Sequence, residues 1–117
     1  MKKKTLLLIF ALIFHCQTAY AELWKITAYC ACKKCCGQFS DGHFASGKPV
    51  YYGGVACNWL SFGTKLRIGY NIYTVEDRGA KSLFGSKSNK IKHLDIYMPE
   101  HEEALKYGVK WLDVEIL

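Results

Sequence analysis

The sequence has no apolar run long enough to cross a bilayer. Its longest, from Thr5 to Phe14, falls well short of the roughly 20 residues that a membrane helix needs. A second apolar segment is also lacking, so we expect no stable membrane insertion. No basic run is interleaved with aromatic residues, and the formal net charge of +6 therefore does not indicate nucleic-acid binding. Mild positive charge instead suits an anionic polymer such as a cell wall.

The start of the chain has the composition of a secretory leader. Lys2–Lys4 form a basic segment, the apolar run follows, and Ala19–Ala21 supply the small residues that a signal peptidase reads. We predict a signal peptide over 1–21 and one domain over 22–117, because 117 residues leave room for a single core. The domain is expected to be an exported monomer, periplasmic or extracellular.

Four cysteines of the predicted domain are clustered, in the order Cys30-Ala-Cys32-Lys-Lys-Cys35-Cys36, and Cys57 follows later. Export favours disulfides, and a bond from the cluster to Cys57 would join the first loop to the second strand. Because five is an odd number, at least one thiol would stay unpaired or pair with another chain. The alternative is metal, since Cys32 and Cys35 have the spacing of a zinc knuckle and another cysteine could complete a four-thiolate site.

Short strands joined by turns dominate the predicted secondary structure. Alternating apolar residues predict strands over 23–29, 54–58, 65–69, 72–77, 93–98 and 109–117. A short helix is predicted from Pro99 to Tyr107, because proline suits the first turn and Gly108 suits the end. Six short strands in so small a chain predict a closed barrel, since closure removes exposed edges.

Charged residues stand where the strand over 72–77 ends. The sequence there is Glu-Asp-Arg-Gly, and Gly79 can turn the chain where other residues clash. Alternation places Glu76 and Asp77 on opposite faces, and we expect Glu76 to face solvent. In the polar loop before the second strand, Ser46 could present a hydroxyl or amide to a ligand, and His43 is a possible proton carrier.

Seven short motifs follow one another along the predicted domain. They are Thr27-Ala-Tyr-Cys, Ala45-Ser-Gly, Val55-Ala-Cys-Asn, Phe62-Gly-Thr-Lys, Val75-Glu-Asp-Arg-Gly, Leu94-Asp-Ile-Tyr and Glu103-Ala-Leu-x-x-Gly. Their order resembles the 3D domain, named for three aspartates. That family is related to the core of membrane-bound lytic transglycosylase A and, more distantly, to rare-lipoprotein-A-like proteins and expansins. The resemblance implies a six-stranded double-psi β-barrel with one short α-helix, Pro99 to Tyr107, before the last strand.

The same resemblance implies cleavage of peptidoglycan glycan strands without net hydrolysis, with a 1,6-anhydro ring formed on N-acetylmuramic acid. The three family aspartates fall at Asn58, Asp77 and Asp95, and this chain departs from the pattern at the first. An amide cannot exchange a proton but can hydrogen-bond a sugar or a carboxylate. We therefore expect Asn58 to bind or orient the substrate.

A lytic transglycosylase can work with one carboxyl group, which must be protonated near neutral pH. Asp95 lies between Leu94 and Ile96, so partial burial and a raised pKa are expected there. We predict Asp95 as the general acid and base, with Asp77 as its charge-stabilising partner.

Aromatic side chains could bind the sugar rings by stacking. Tyr29, Tyr97 and Trp59 are candidates, although aromatic residues in so small a domain often belong to the core. A second function stays open, that of a non-catalytic module that binds wall polysaccharide as expansins do. Neither function calls for a cofactor, and zinc at the cysteine cluster is the alternative.

Overall fold

The computed structural model describes residues 22–117, and the predicted signal peptide over 1–21 lies outside the described residues. Within those residues three short helices accompany the strands: α1 (Lys33–Cys36), α2 (Lys81–Phe84) and α3 (His101–Tyr107). The strands are β1 (Leu23–Tyr29), β2 (Gly54–Ala56), β3 (Lys65–Ile68), β4 (Asn71–Asp77), β5 (His93–Tyr97), β6 (Lys110–Asp113) and β7 (Glu115–Ile116). A turn of 3₁₀ helix, Gly37–Phe39, follows α1. Over residues 22–117 no helix is long and apolar enough to span a membrane.

The prediction of a closed six-stranded double-psi β-barrel is wrong. The strands form one mixed sheet of seven, in the order β6-β1-β5-β2-β4-β3-β7. The predicted last strand, 109–117, is divided at Val114, which turns into the core and is 8% exposed. Its first half pairs with β1 and its second half with β3. The two edge strands therefore follow each other in the chain, but they do not pair with each other, and the sheet stays open.

The middle of the sheet is covered on both faces. β5 runs parallel to β1 and antiparallel to β2, and His93, Leu94, Ile96 and Tyr97 on it are all buried. In β1 the predicted alternation is observed, with Trp24 and Ile26 in the core. Asp95, the third residue of this strand, is only partly exposed, so its carboxyl group loses much of its water.

Helix α3 was predicted from Pro99 to Tyr107 and begins two residues later, at His101. Ala104 is its buried residue, and the helix packs against β1. Acidic residues lie in its first turn and Lys106 in its last, where each sign of charge favours the helix dipole. The prediction of helix α3 was thus right except for its start. The four-residue helices α1 and α2 were not predicted.

A bulge in β4 changes the face to which its acidic residues point. Val55 pairs with Val75, but the next residue of β2, Ala56, pairs with Asp77, so Glu76 is the extra residue. Glu76 is 1% exposed, and the expectation that it faces solvent is wrong. Simple alternation fails here because an inserted residue shifts the parity of the strand.

Buried Glu76 is stabilised by two donors. The Tyr51 hydroxyl donates to its Oε2 at 2.8 Å, and Lys48 Nζ lies 3.2 Å from the same oxygen. Burial by itself would raise the pKa of Glu76, but these two partners outweigh it and lower the pKa. Glu76 therefore anchors the polar loop to the sheet as a paired charge.

Candidate functional site

The two aspartates lie on either side of one small residue. Strand β2 runs between β4 and β5, and its Ala56 pairs with Asp77 on one side and with Asp95 on the other. The backbones of the aspartates are thus two strand spacings apart, about 10 Å. Both aspartates line a cavity of ≈ 670 Å³, and Ala56 forms part of its wall between them.

Asp77 has both carboxylate oxygens engaged. Its Oδ1 accepts hydrogen bonds from the backbone N–H groups of Ala45 and Arg78, both at 2.9 Å. Its Oδ2 accepts one from the Tyr29 hydroxyl at 2.5 Å. Burial and the bond to Asp77 raise the pKa of Tyr29 far above its ordinary value, so the phenol remains a donor. Three donors around one carboxylate suit a fixed negative charge.

Asp95 has the opposite environment. Burial raises the pKa of Asp95 to about 6; the hydrogen bond from Thr27 opposes this rise, and the nearby charge of Asp77 adds to it. Thr27 is the neighbour of Asp95 across the β1–β5 pair, and its hydroxyl lies 2.9 Å from Asp95 Oδ1. A carboxyl group that binds a proton near neutrality can serve as a general acid.

Two polar residues beside Asp95 were missed by the sequence analysis. Thr27 Oγ1 lies 2.8 Å from His93 Nε2, and His93 Nδ1 lies 3.1 Å from the carbonyl oxygen of Leu83. His93 is 4% exposed. The available signal was its place on the strand of Asp95, two residues away and therefore on the same face.

Asn58 lies among backbone groups of the loop after β4. Its Nδ2 donates to the carbonyl oxygens of Gly79 and Gly85 at 2.9 and 2.8 Å, and its Oδ1 accepts from Gly79 N–H at 2.8 Å. It is absent from the residues that line the cavity. The observed contacts hold the loop that carries Arg78 and Gly79, whereas a contact between Asn58 and a sugar stays a prediction.

The other predicted binding residues fall into two groups. Tyr29 lines the cavity, whereas Tyr97 is 8% exposed and its ring meets those of Tyr29 and Phe44 edge-on. Ser46 donates its backbone N–H to the Glu76 carbonyl at 3.0 Å and is not part of the cavity lining. Trp59 stacks on Trp24 at 5.4 Å and belongs to the core.

The rest of the cavity wall combines aromatic and polar groups. Phe44 and Phe84 contribute rings, and Arg78 contributes a guanidinium that also donates to the Cys57 carbonyl at 2.5 Å. His43 lines the cavity as well, and it is held by Asp41, whose Oδ1 accepts from its backbone N–H at 3.0 Å. Rings with a few convergent polar groups are typical of a ligand pocket.

The cysteine cluster gathers around a histidine from α3. Nδ1 of His101 lies 3.3, 3.4 and 3.4 Å from the Sγ atoms of Cys30, Cys32 and Cys35. These three cysteines and His101 could hold a metal ion, since their ligand atoms all lie within 4.8 Å of one another. His101 was not predicted as a ligand, because it lies far from the cysteines in the chain. Three cysteines with one histidine form a common zinc ligand set.

The sulfur atoms of this cluster lie close enough to form hydrogen bonds with one another. The Cys30 thiol donates to Cys32 Sγ at 2.7 Å, and Cys35 Sγ lies 2.9 Å from Cys30 Sγ. The hydrogen bond from Cys30 lowers the pKa of Cys32 to about 6, and burial raises the pKa of Cys30 to about 12. Cys32 is thus the thiol most ready to act as a thiolate ligand.

The expected disulfide to Cys57 is not observed. All five cysteines in residues 22–117 are unpaired, and Cys57 is fully buried in the hydrophobic core. Cys36 lines the cavity and donates its thiol to the Cys30 carbonyl oxygen at 3.2 Å. The structure therefore separates the cysteines into a metal-competent group, a core residue and a cavity residue.

Comparison with known proteins does not add a family. No family model matches this chain, and no curated protein matches it.

Position 79, in the wall of the cavity, has room only for glycine. Its φ is not positive, but a Cβ built there would overlap the ring of Phe84. We expect Gly79→Ala to displace this ring from the cavity wall and to lower the free energy of unfolding by about 1–3 kcal/mol. Chemical denaturation measures the change. Ser82→Ala, on an exposed position of α2, is the control and should change stability by less than about 0.5 kcal/mol; equal stability of both variants would contradict the packing argument.

Proposed function

We propose that this protein is an exported lytic transglycosylase that cleaves peptidoglycan glycan strands, with Asp95 as general acid and base. The observation that carries the proposal is a carboxyl group whose pKa is raised to about 6 on the wall of a ligand-sized cavity. The leader-like start of the sequence and the resemblance of its motifs to the 3D domain support an exported enzyme acting on the wall.

The reaction needs one carboxyl group that acts twice. Asp95 gives its proton to the glycosidic oxygen, and the bond between that oxygen and the sugar's anomeric carbon breaks. The resulting carboxylate then accepts the proton of the C6 hydroxyl of the same sugar, whose oxygen closes the 1,6-anhydro ring. Because the nucleophile belongs to the substrate itself, no water has to be held and the entropic advantage is large.

The environment of Asp77 favours this route over hydrolysis. A hydrolase needs a second carboxyl group with a free oxygen to activate water or to attack the sugar. Both oxygens of Asp77 are already occupied, by two backbone N–H groups and by the Tyr29 hydroxyl. Asp77 is therefore suited to stabilise positive charge that develops on the sugar ring, and Asp95 is left as the proton carrier.

The cavity also suits a sugar in size and in lining. Its volume of ≈ 670 Å³ lies within the usual range for ligand pockets, roughly 300–1,000 Å³. Phe44 and Phe84 are buried and give the wall apolar carbon surface, and Arg78, Asp41 and His43 offer polar contacts for hydroxyl groups. The alternative function is a non-catalytic module that binds wall polysaccharide through the same cavity.

Product analysis tests the proposal and separates the alternatives. Purified protein of residues 22–117 is incubated with peptidoglycan sacculi, and the released fragments are examined by mass spectrometry. Ends that carry 1,6-anhydro-muramic acid are the expected result. Ordinary reducing ends would identify a hydrolase instead, and binding to sacculi without release of fragments would identify the non-catalytic module.

The rate of cleavage should fall as the pH rises. Asp95 must carry its proton to act as the acid, and its pKa is raised to about 6. Above that pH the protonated fraction falls about tenfold per pH unit, and the initial rate should follow it. The release of anhydro ends from sacculi, measured across about pH 5 to 8, checks this limb. A rate that stays constant over that interval would show that another group supplies the proton.

We further propose that the metal of the Cys30, Cys32, Cys35 and His101 group is zinc. Three thiolates and one imidazole form a set that zinc prefers, and the observed Sγ–Nδ1 distances of 3.3–3.4 Å are close to the roughly 3.5 Å edge of a tetrahedral zinc site. An ion would spread the sulfurs by about 1 Å. The four protein ligands fill all four positions around the ion, so the zinc would be structural.

Metal analysis of the purified protein should find one equivalent of zinc, and its absence after refolding with zinc would defeat this proposal.

A further inference from the structure

The hydroxyl of Thr27 lies between two groups that compete for its proton. Its Oγ1 is 2.9 Å from Asp95 Oδ1 and 2.8 Å from His93 Nε2. A hydroxyl has a single proton and can donate to only one of the two. The neighbour that does not receive this proton is satisfied only if it donates its own proton to Oγ1. The protonation states of Asp95 and His93 are therefore coupled through Thr27.

The other nitrogen of His93 decides which neighbour receives the proton. His93 Nδ1 lies 3.1 Å from the carbonyl oxygen of Leu83, and because a carbonyl oxygen can only accept, Nδ1 must carry a proton. In the neutral imidazole, Nε2 is then an acceptor, and Thr27 donates to it. While Thr27 donates to Nε2, Asp95 Oδ1 faces a lone pair of Oγ1, and this contact is favourable only when Asp95 is protonated; Thr27 can donate to an ionised Asp95 only by giving up its bond to Nε2.

The surroundings keep His93 neutral. The ring is 4% exposed and stacks on Phe84 at 4.0 Å with an interplanar angle of 12°. Burial lowers the pKa of His93; the hydrogen bond to Leu83 opposes this, and the charge of Lys25, its partner across β1 and β5, adds to it. A neutral, fixed imidazole is thus the resting state at neutral pH.

Three other titratable groups lie near Asp95, and none of them favours its ionisation. Asp77 lies across Ala56, and its charge disfavours ionisation of Asp95. Tyr29 and Cys36 also feel the charge of Asp95, but burial raises the pKa of each, so both are uncharged. None of these three groups hydrogen-bonds Asp95, whereas Thr27 does.

We propose that His93 is a positioning residue which, through the single proton of Thr27, raises the affinity of Asp95 for its own proton. The inference rests on the proposed function, in which Asp95 is the acid. When Asp95 is protonated, its Oδ1–H donates to Thr27 Oγ1, Thr27 donates to His93 Nε2, and His93 Nδ1–H donates to the carbonyl oxygen of Leu83. Ionised Asp95 draws the Thr27 proton to itself and leaves Nε2 without a donor, which is an unfavourable arrangement in a buried site.

Titration of Asp95 by carboxyl ¹³C NMR, in the absence of substrate, tests the coupling. His93→Phe keeps a ring against Phe84 but removes the competing acceptor, so Thr27 becomes free to donate to the Asp95 carboxylate. The Asp95 midpoint should fall by about one pH unit, a tenfold loss of proton affinity. The same substitution made in a Thr27→Val background should leave the midpoint unmoved, whereas in a Thr27→Ser background the fall should return.

Three results would overturn the inference. One is an Asp95 midpoint that stays or rises in His93→Phe, and another is a fall that persists without the Thr27 hydroxyl. The third is obtained on the unaltered protein and needs no variant to fold: imidazole ¹⁵N shifts that place the proton of neutral His93 on Nε2. Because no glycan is present, these measurements stand even if the protein cleaves none. Conversely, loss of cleavage in His93→Phe with an unchanged Asp95 midpoint would count against this inference and leave the proposed function intact.

Discussion

Replacement of Asp95 by asparagine is expected to lower the release of anhydro-muramic ends by about 10²–10⁴-fold, the usual contribution of a general acid and base. Asparagine has nearly the shape of aspartate but no proton to give, so the cavity is kept and the chemistry is lost. The initial rate on sacculi measures the effect. Asp113→Asn, at an exposed position of β6, is the matched control, and this variant should cleave sacculi at the normal rate.

The same substitution should stabilise the protein at neutral pH. Burial raises the pKa of Asp95 to about 6 from an ordinary value of 3.8, so the folded state binds this proton more tightly than the unfolded state does. The stability that Asp95 contributes is present at low pH and is lost as the pH rises from the unfolded to the folded pKa. Asparagine avoids that loss, and the free energy of unfolding at neutral pH should rise by about 1–3 kcal/mol.

A variant that is both inactive and more stable would separate catalysis from folding. Thermal unfolding of Asp95→Asn and of the unaltered protein, each at acid and at neutral pH, gives the comparison. The difference between them should shrink at acid pH, where Asp95 is protonated in both states. Retention of cleavage by Asp95→Asn would refute its role as the acid, and a lower stability at neutral pH would refute the account of its burial.

Removal of the proposed zinc is expected to have the largest effect on stability. The ligands come from the end of β1, from α1 and from the first residue of α3, so zinc would bind together three separate elements. Zinc at a large excess over its dissociation constant stabilises by about 4 kcal/mol, which corresponds to a Tm higher by about 20 °C in a domain of this size. Calorimetry with and without a chelator measures the shift.

Cys36 provides the matched control for the metal site. It neighbours Cys35 in the chain but is not part of the ligand group. Cys36→Ser should keep one equivalent of zinc and the full effect of the chelator on Tm, whereas Cys35→Ser and His101→Ala should lose both. Equal loss of zinc in Cys36→Ser would show that the thiols bind without the observed arrangement. Because Cys35 and Cys36 both line the cavity, loss of zinc should also slow the cleavage of glycan.

The local pattern of the sequence was sufficient for several elements. Apolar alternation placed β1 and β5, and proline, acidic residues and glycine placed α3 to within two residues at its start. The choice of Asp77 and Asp95 as one pair came from the resemblance, and the structure places both on one cavity. The predictions of β1, β5 and α3 share a cause, since each depends on residues close together in the chain, whereas the roles of Asp77 and Asp95 stay predictions.

The failures share a cause as well. The bulge at Glu76 reverses which side chains of β4 point into the core, and the alternation of residues in the sequence does not reveal an inserted residue. Division of the last strand at Val114 left the sheet open, because each half found a different partner. The disulfide expected on grounds of compartment is not formed, and Cys57 instead packs in the hydrophobic core.

The sequence by itself determined that this is a small β-rich domain with two acids at strand positions, a dense group of cysteines and a leader-like start. Only the tertiary structure decided that His101 completes a Cys₃His group and that Thr27 and His93 stand behind Asp95. The reason is that both arrangements join residues about seventy positions apart. Which distant residues meet depends on how strands pair and how α3 packs on β1, and that is decided by burial of the whole core rather than by any local pattern.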